Sequence, residues 1–538
     1  MRIIFLISLS LLSLHRSSAQ AELELILDPD INYQTMHSFG ASDSWAAQFF
    51  GKNYPLEKRE KMAEWLFSKE FDENGNPSGI GLSLWRFNIG TGGAQLGDSS
   101  RMHWNWRRTD CFRDADGNWD WSKQEGQQWF LNKAREYGVE YYKAIVYSPP
   151  YWWTRNGLNI SAPEETLHMN IQPEKISEYA SFLADILQHF QDEGTPFDYL
   201  SPFNEPEWDW SGGLAEGSPA SNDELYTLIK ELDREFSKRK LSTKMLIGDA
   251  GDHRYLFSDF NNDKARGNKI NYFYSPSSPS YLGNLPNVEK AISSHSYHSV
   301  WPVDTLILTR KRITEKISNT NADISFWQTE YCILQQNDDI GNGWRRDLGI
   351  NTALYVARII HHDLSLANAS SWQFWTAMTH MNFKGGLIYV DAGEGNQGST
   401  GPRDKLYESL KYDGEIRDSK ILWALGNYSH FIRPGMHRIN AEFANRFSLT
   451  EQATDLMVSA FRDPVKKDIV IVFVNYSGEE KSVHLPDNEK YFSLHSYITS
   501  EDKNLEYVET RGKLLNIPAR SVLTLLMEEN ILSHGTTK

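Results

Sequence analysis

The sequence predicts an α/β fold, a (β/α)8 barrel carrying a side β-sandwich built from both chain ends, and three observations predict it. Between residues 36 and 425, eight apolar strand-like runs alternate with amphipathic helical stretches. Beyond residue 426 the pattern changes to short strands, spaced roughly ten residues apart with turn residues between them. An early strand at 22–27 (ELELIL) stops at Asp28-Pro29 and has no place in an eight-strand count, so it is expected in the sandwich.

The barrel elements follow in order. The first strand, 36–45 (MHSFGASDSW), runs into a Gly-containing loop and is followed by a helix at 56–67. The second, 81–88 (GLSLWRFN), ends at Gly90; helix 124–137 then leads to the third, 140–147 (EYYKAIVY), which ends at Ser148-Pro149-Pro150. Helix 173–191 precedes a short β-forming run at 197–203 that closes on Asn204-Glu205, with Pro202 and Pro206 forbidding a helix on either side. Helix 223–238 leads to strand 244–248 (KMLIG), and helix 305–317 lies between strands 292–297 (ISSHSY) and 324–331 (ISFWQTEY). Helix 351–366 leads to the last strand, 370–376 (SSWQFWT). The sandwich strands are 457–462, 468–476, 481–485, 491–499 and 521–526. A doubly wound open sheet would share the alternation, but no Gly-rich phosphate loop opens a helix after the first strand. Gly90-Thr91-Gly92-Gly93 follows the second strand with the wrong spacing.

Composition sets the outer bounds. The chain has 538 residues, 40% hydrophobic and 13% aromatic, enough for a large core and more than one domain. Its net charge of −16 argues against nucleic acid or an anionic membrane surface as partner, since either would be repelled at long range. Arg2, the apolar run 3–14 and Ser17-Ser18-Ala19 read as a cleavable signal peptide, so a secreted or periplasmic protein beginning near Gln20 is expected. That run is too short to span a bilayer. Cys111 and Cys332 are the two cysteines, so disulfides do not organise the fold. The expected division is signal peptide 1–19, sandwich strand 20–35, barrel 36–425, sandwich 426–530 and tail 531–538, in a monomer.

Reactive groups in such a barrel sit at the C-terminal ends of its strands. Two of those ends carry carboxylates: Glu205 on the fourth and Glu330 on the seventh, about half a barrel apart. A facing pair of this kind suits glycosidic cleavage with retention, one carboxyl protonating the leaving oxygen while the other attacks the anomeric carbon. Glu330 suits the nucleophile, with Arg86 and Tyr297 as partners that keep it ionised. Residue types alone leave alternatives: Arg86 could pair with a structural carboxylate, and His295 and Tyr297 could be satisfied core residues. Trp152, Trp153, Trp208 and Trp375 fall near the mouth and could be packing, yet four indoles there favour sugar stacking, because the C–H face of a sugar lies well on an aromatic ring. Asp114-Ala115-Asp116-Gly117-Asn118 resembles part of a calcium loop, but its Gly is at the wrong offset and no Glu closes it, so a turn is expected. His361-His362 lacks metal-ligand spacing. No metal and no cofactor are expected.

Several segments together resemble glycoside hydrolase family 30: HSFGASDSW at 37–45, WRFNIGTGG at 85–93, YSPPYWWTRNG at 147–157, FNEPE at 203–207, SHSYH at 294–298, WQTEY at 327–331, WQFW at 372–375 and LGNYSHFIRPG at 425–435. The resemblance implies that Glu205 is the acid/base and Glu330 the nucleophile. It implies that Arg86, Trp152, Asn204, His295, Tyr297 and Trp375 line the subsite at the cleavage point, and that the side sandwich draws on both termini. The opening Gly-Ala-Ser-Asp-Ser-Trp most resembles the branch of endo-β-1,6-galactanases, so an oligo- or polysaccharide partner is implied. No segment matches the acid-recognition loop of the glucuronoxylan branch. Branches acting on β-1,6-glucan, glucosylceramide or xylosides stay open, as does a catalytically inactive carbohydrate-binding protein.

Overall fold

The computed structural model describes residues 22–529 apart from 165, 394–397, 446 and 487–490; the expected signal peptide and the tail from 530 lie outside the described residues. Strand β1 (Leu23–Thr35) belongs to the side domain. The barrel strands are β2 (Ser38–Ser42), β3 (Leu84–Ile89), β4 (Tyr141–Val146), β5 (Tyr199–Ser201), β6 (Lys244–Ala250), β7 (Val288–His295), β8 (Ser325–Glu330) and β9 (Ala369–Thr379). Each pairs in parallel with the next, and β9 pairs with both β8 and β2, which closes the ring. The expected barrel is therefore present with all eight strands in the expected places. Beyond it, β10 (Gly386–Asp391) adds to the upper half of β9, and β11 (Glu415–Asp418) adds to β10.

Proline punctuation explains how the fourth barrel strand ends. β5 is three residues long because Pro202 has no N–H to give a ladder. The chain leaves the sheet there, and Glu205 takes a left-handed backbone with φ 44°. The amide of Glu205 is held by the carbonyl of Asp249 at the end of β6, 2.9 Å away. A strained backbone of this kind persists only where its surroundings fix it.

The side domain is a nine-stranded mixed sheet in which β1 lies between β12 (His437–Phe443) and β15 (Lys481–His484), antiparallel to the first and parallel to the second. Strands β13 (Leu456–Arg462) and β14 (Ile469–Asn475) continue it. Alternation explains its two faces. Ile469, Ile471 and Phe473 of β14 join the interior of the side domain, whereas Val470, Val472 and Val474 join the barrel's core. A strand covered on both faces reads as an unbroken apolar run, and IVIVFV is one.

Two expectations need correction. β1 does not stop at Asp28-Pro29 but continues to Thr35, with register irregularities between Asp28 and Asn32 and between Asn32 and Thr35. A bulge lets a strand carry a proline without breaking the sheet. Residue 425 is no boundary: the helix Lys420–Ser429 runs through it, and the side sheet resumes at His437. Barrel and side domain also share core, since Asn427 on that helix donates to the carbonyl of Tyr497 and to Thr524, each at 3.0 Å. The stretch 114–118 is a turn, closed by Asp114 accepting from the Asn118 amide at 2.8 Å, with Gly117 at φ 94°.

Candidate active site

Glu205 and Glu330 converge from the ends of β5 and β8. One carboxylate oxygen of each, together with a ring nitrogen of His295, lie within 4.8 Å of one another. Retaining glycosidases hold their two carboxyl groups roughly 5 to 5.5 Å apart, whereas inverting enzymes leave roughly 6.5 to 9.5 Å for a water molecule. The separation here is of the first kind.

Two donors hold Glu330. Arg86 on β3 donates to Oε2 at 2.6 Å, and the Tyr297 hydroxyl donates to Oε1 at 3.1 Å. Arg86 is wholly buried and also donates to Asn204 Oδ1 at 3.1 Å and to the Tyr147 hydroxyl at 3.3 Å, so one guanidinium ties β3, β4, β5 and β8 together. Burial pushes the Glu330 carboxyl above its ordinary range, and the charges of His295 and Arg86 oppose that push.

His295 bridges the pair. Its Nδ1 stands 2.8 Å from Glu205 Oε1 and 3.8 Å from Glu330 Oε1. Burial alone would lower its pKa, but the charge of Glu330, with the Asp249 and Glu205 carboxylates, lifts it to about 9. The ring is therefore a cation at neutral pH, and Nδ1–H donates to Glu205.

Beneath this layer lies a charge pair that sequence reasoning missed. Lys143 on β4 and Asp249 on β6 are both fully buried, with Nζ 3.3 Å from Oδ2. Asp249 also accepts from Thr329 Oγ1 at 2.5 Å, and its Oδ1 lies 3.8 Å from His295 Nε2. Burial would raise the Asp249 carboxyl, yet Lys143 first and then His295 hold it well below the usual range. One signal was available: a lysine inside the apolar run EYYKAIVY has to be paired if the strand is buried.

The aromatic residues divide. Trp375 ends in the site, its ring 5.4 Å from the Arg86 guanidinium carbon and edge-on to Trp45 at 5.2 Å. Trp45 itself, within the GASDSW stretch, was not singled out by sequence, whereas Trp210, expected beside Glu205, donates its indole N–H to the Glu205 carbonyl at 3.0 Å. Trp152 is half-buried on the turn after β4, edge-on to Tyr151 at 4.9 Å. Trp208 is 53% exposed and stacks on His298 at 6.0 Å. Trp153 corrects the expectation of a rim residue: it is buried against Phe182 of a barrel helix and the guanidinium of Arg113, so it is packing.

A cavity of about 610 Å³ lies elsewhere. It is lined by His37, Tyr141, Glu289 and Ser325, where the strands begin. That end of a barrel serves stability rather than chemistry. Glu205, His295 and Glu330 also form the one group among the described residues with donor spacing fit for a metal ion. Arg86 at 2.6 Å from Glu330 and the proton on His295 both oppose a further positive charge there.

Comparison with known proteins settles the family. The model of O-glycosyl hydrolase family 30 matches residues 22–389. The chain belongs to that family. An endo-β-1,6-galactanase of Hypocrea rufa is 30% identical over 278 residues, covering 48% of this chain and 55% of that protein, so the match spans about half of the relative's length. A crystal structure of a conserved exported protein from Bacteroides fragilis has 39% identity and a TM-score of 0.87, over 94% of this chain and all of that one. The catalytic domain of xylanase C from Talaromyces cellulolyticus, at 18% identity and a TM-score of 0.65 over 94% of this family 30 chain and 99% of its own, shares the fold. No described helix is long and apolar enough to cross a membrane.

Proposed function

We propose that this family 30 chain is a secreted retaining β-glycosidase that cuts a polysaccharide, with β-1,6-galactan as its substrate. The observation that carries the reaction is the approach of the Glu205 and Glu330 oxygens, within 4.8 Å, around a charged His295. Glu330, held by Arg86 and Tyr297, attacks the anomeric carbon as the glycosidic bond breaks. Glu205 gives its proton to the departing oxygen. Water then attacks the glycosyl ester on Glu330, Glu205 takes up a proton from that water, and the sugar leaves with its configuration retained. Arg86 and Tyr297 contribute by fixing the nucleophile's position, and His295 by fixing the acid's. Asn204 and Trp375 are assigned to the walls around the sugar, Trp152 and Trp208 to its flanks.

The substrate reading is supported by the galactanase of Hypocrea rufa, 30% identical over 278 residues, and by the GASDSW segment. Export is supported by the run 1–19 and by the exported Bacteroides fragilis protein. The deciding assay is product analysis on β-1,6-galactan, arabinogalactan, β-1,6-glucan and glucuronoxylan, with wild type beside Glu205→Ala. Short β-1,6-galacto-oligosaccharides from wild type alone are expected. Products from another polymer would keep the mechanism and replace the substrate. Binding without cleavage of any would make the chain a carbohydrate-binding protein.

A further inference from the structure

A tryptophan outside the carboxylate site is held in an unusual way. Trp344 is 53% exposed. An exposed indole on a surface loop ordinarily sits on loosely held backbone, since little buries it. Here the backbone on both sides is fastened. The buried Lys384 donates to the carbonyl of Asn342 at 2.5 Å and to that of Arg345 at 3.1 Å. The amides of Trp344 and Arg346 are held by the side chains of Asn342 and Asn382, each at 2.9 Å. The Arg345 amide donates to the Asn382 carbonyl at 2.9 Å, and Trp344 pairs with Phe383 as an isolated β-bridge.

Position gives the platform a direction. Trp344 lies on the loop that follows β8 and Glu330, and Phe383 on the loop that follows β9 and Trp375. Phe383 lines the same small cavity as Trp45 and Trp375, and its backbone bridge ties Trp344 to that wall of the site. Trp208, equally exposed at 53%, follows β5 and Glu205 on the other arm of the site. An exposed indole on fastened backbone, in a loop that follows a strand ending in the carboxylate site, fits one ligand, the C–H face of a sugar ring. A loop backbone fixed before binding also spares the entropy of ordering it.

We propose that Trp344 is the stacking platform of a distal subsite, which takes a sugar unit of the same polysaccharide away from the cleavage point. The inference rests on the glycosidase reading above and adds that the chain recognises several consecutive units.

The test is kinetics of Trp344→Ala and Trp344→Phe on oligosaccharides of increasing length, taken from whichever polymer the wild type cuts. On the longest, Trp344→Ala is expected to raise KM roughly tenfold with kcat unchanged, the size of one lost stacking contact. On the shortest substrate cleaved, neither constant moves, and Trp344→Phe recovers most of the loss. An unchanged KM at every length overturns the proposal, as does an equal loss at every length, which would mean a structural role. Choice of polymer separates the two readings: a substrate other than galactan removes the substrate assignment and leaves the length dependence to be read. A wild type that cuts no polymer, and whose Glu330→Gln form binds no oligosaccharide, refutes both.

Discussion

At the scale of single residues, three buried cations face three carboxylates: Arg86, His295 and Lys143 against Glu330, Glu205 and Asp249. Breaking one buried pair leaves an uncompensated charge, which costs about 3 to 5 kcal/mol, while removing both partners costs less. Lys143→Met is therefore expected to lower unfolding free energy by about that amount in denaturant titration, with Lys143→Met/Asp249→Asn recovering part of it. His295 gives a pH signature. Its pKa in the fold is about 9 against an ordinary 6.5, so its stabilisation is complete below about 6.5 and fades as pH rises through 9. Stability measured from pH 6 to 10 is expected to fall along that window, and His295→Asn to flatten the fall. Glu330→Gln should abolish turnover and keep oligosaccharide binding, read by calorimetry; unchanged turnover would remove Glu330 from the nucleophile's place. Both glutamates were legible in the sequence because strand ends mark them, and prolines also bracket Glu205. Lys143 and Asp249 were not paired there, since no local pattern says that β4 and β6 present their side chains to the same interior layer.

At the scale of elements, what the sequence made legible was whatever depends on periodicity. Eight strands and the long helices between them appear where alternation and amphipathic spacing placed them. What it hid depends on pairing partners. β1 was expected to end at Asp28-Pro29, yet antiparallel partners on β12 carry it to Thr35 through irregular register. The tryptophans show the same limit: Trp152 and Trp153 are neighbours on one short turn, but Trp153 faces Phe182 and is spent on packing. Turn geometry decides such things, and composition does not. Gly251, after β6, is another element-level constraint that sequence could not flag. A Cβ there would stand 3.2 Å from the Glu205 carboxyl carbon. Gly251→Ala is expected to displace the acid by a few tenths of an ångström and to cost roughly tenfold in kcat, because misplacement of a reacting group acts on the barrier. Thermal melting of that variant should stay near wild type, which separates the effect from unfolding.

At the scale of the whole molecule, the barrel and its side sheet are expected to unfold as one cooperative body, because they share a core and a strand from the other end of the chain. Val470, Val472, Val474 and Val522 of the side sheet pack into the barrel's cluster, and Asn427 stitches the last barrel helix to two side strands. β1 sits inside the nine-strand order, between β12 and β15, rather than at an edge. A fragment starting at 430 therefore lacks an internal strand and is expected to be unfolded by circular dichroism. The same geometry predicts a long-range effect of a single N-terminal substitution. Leu25 is 2% exposed in the side-domain core, and Leu25→Ala should cost about 2 to 5 kcal/mol. If the two parts are one cooperative unit, calorimetry of wild type gives a single unfolding transition, and Leu25→Ala moves that whole transition down together with the temperature at which activity is lost. Two transitions, of which Leu25→Ala shifts only the smaller, would instead make the side sheet an independently melting appendage. The barrel would then hold its carboxylates without help from the chain's ends.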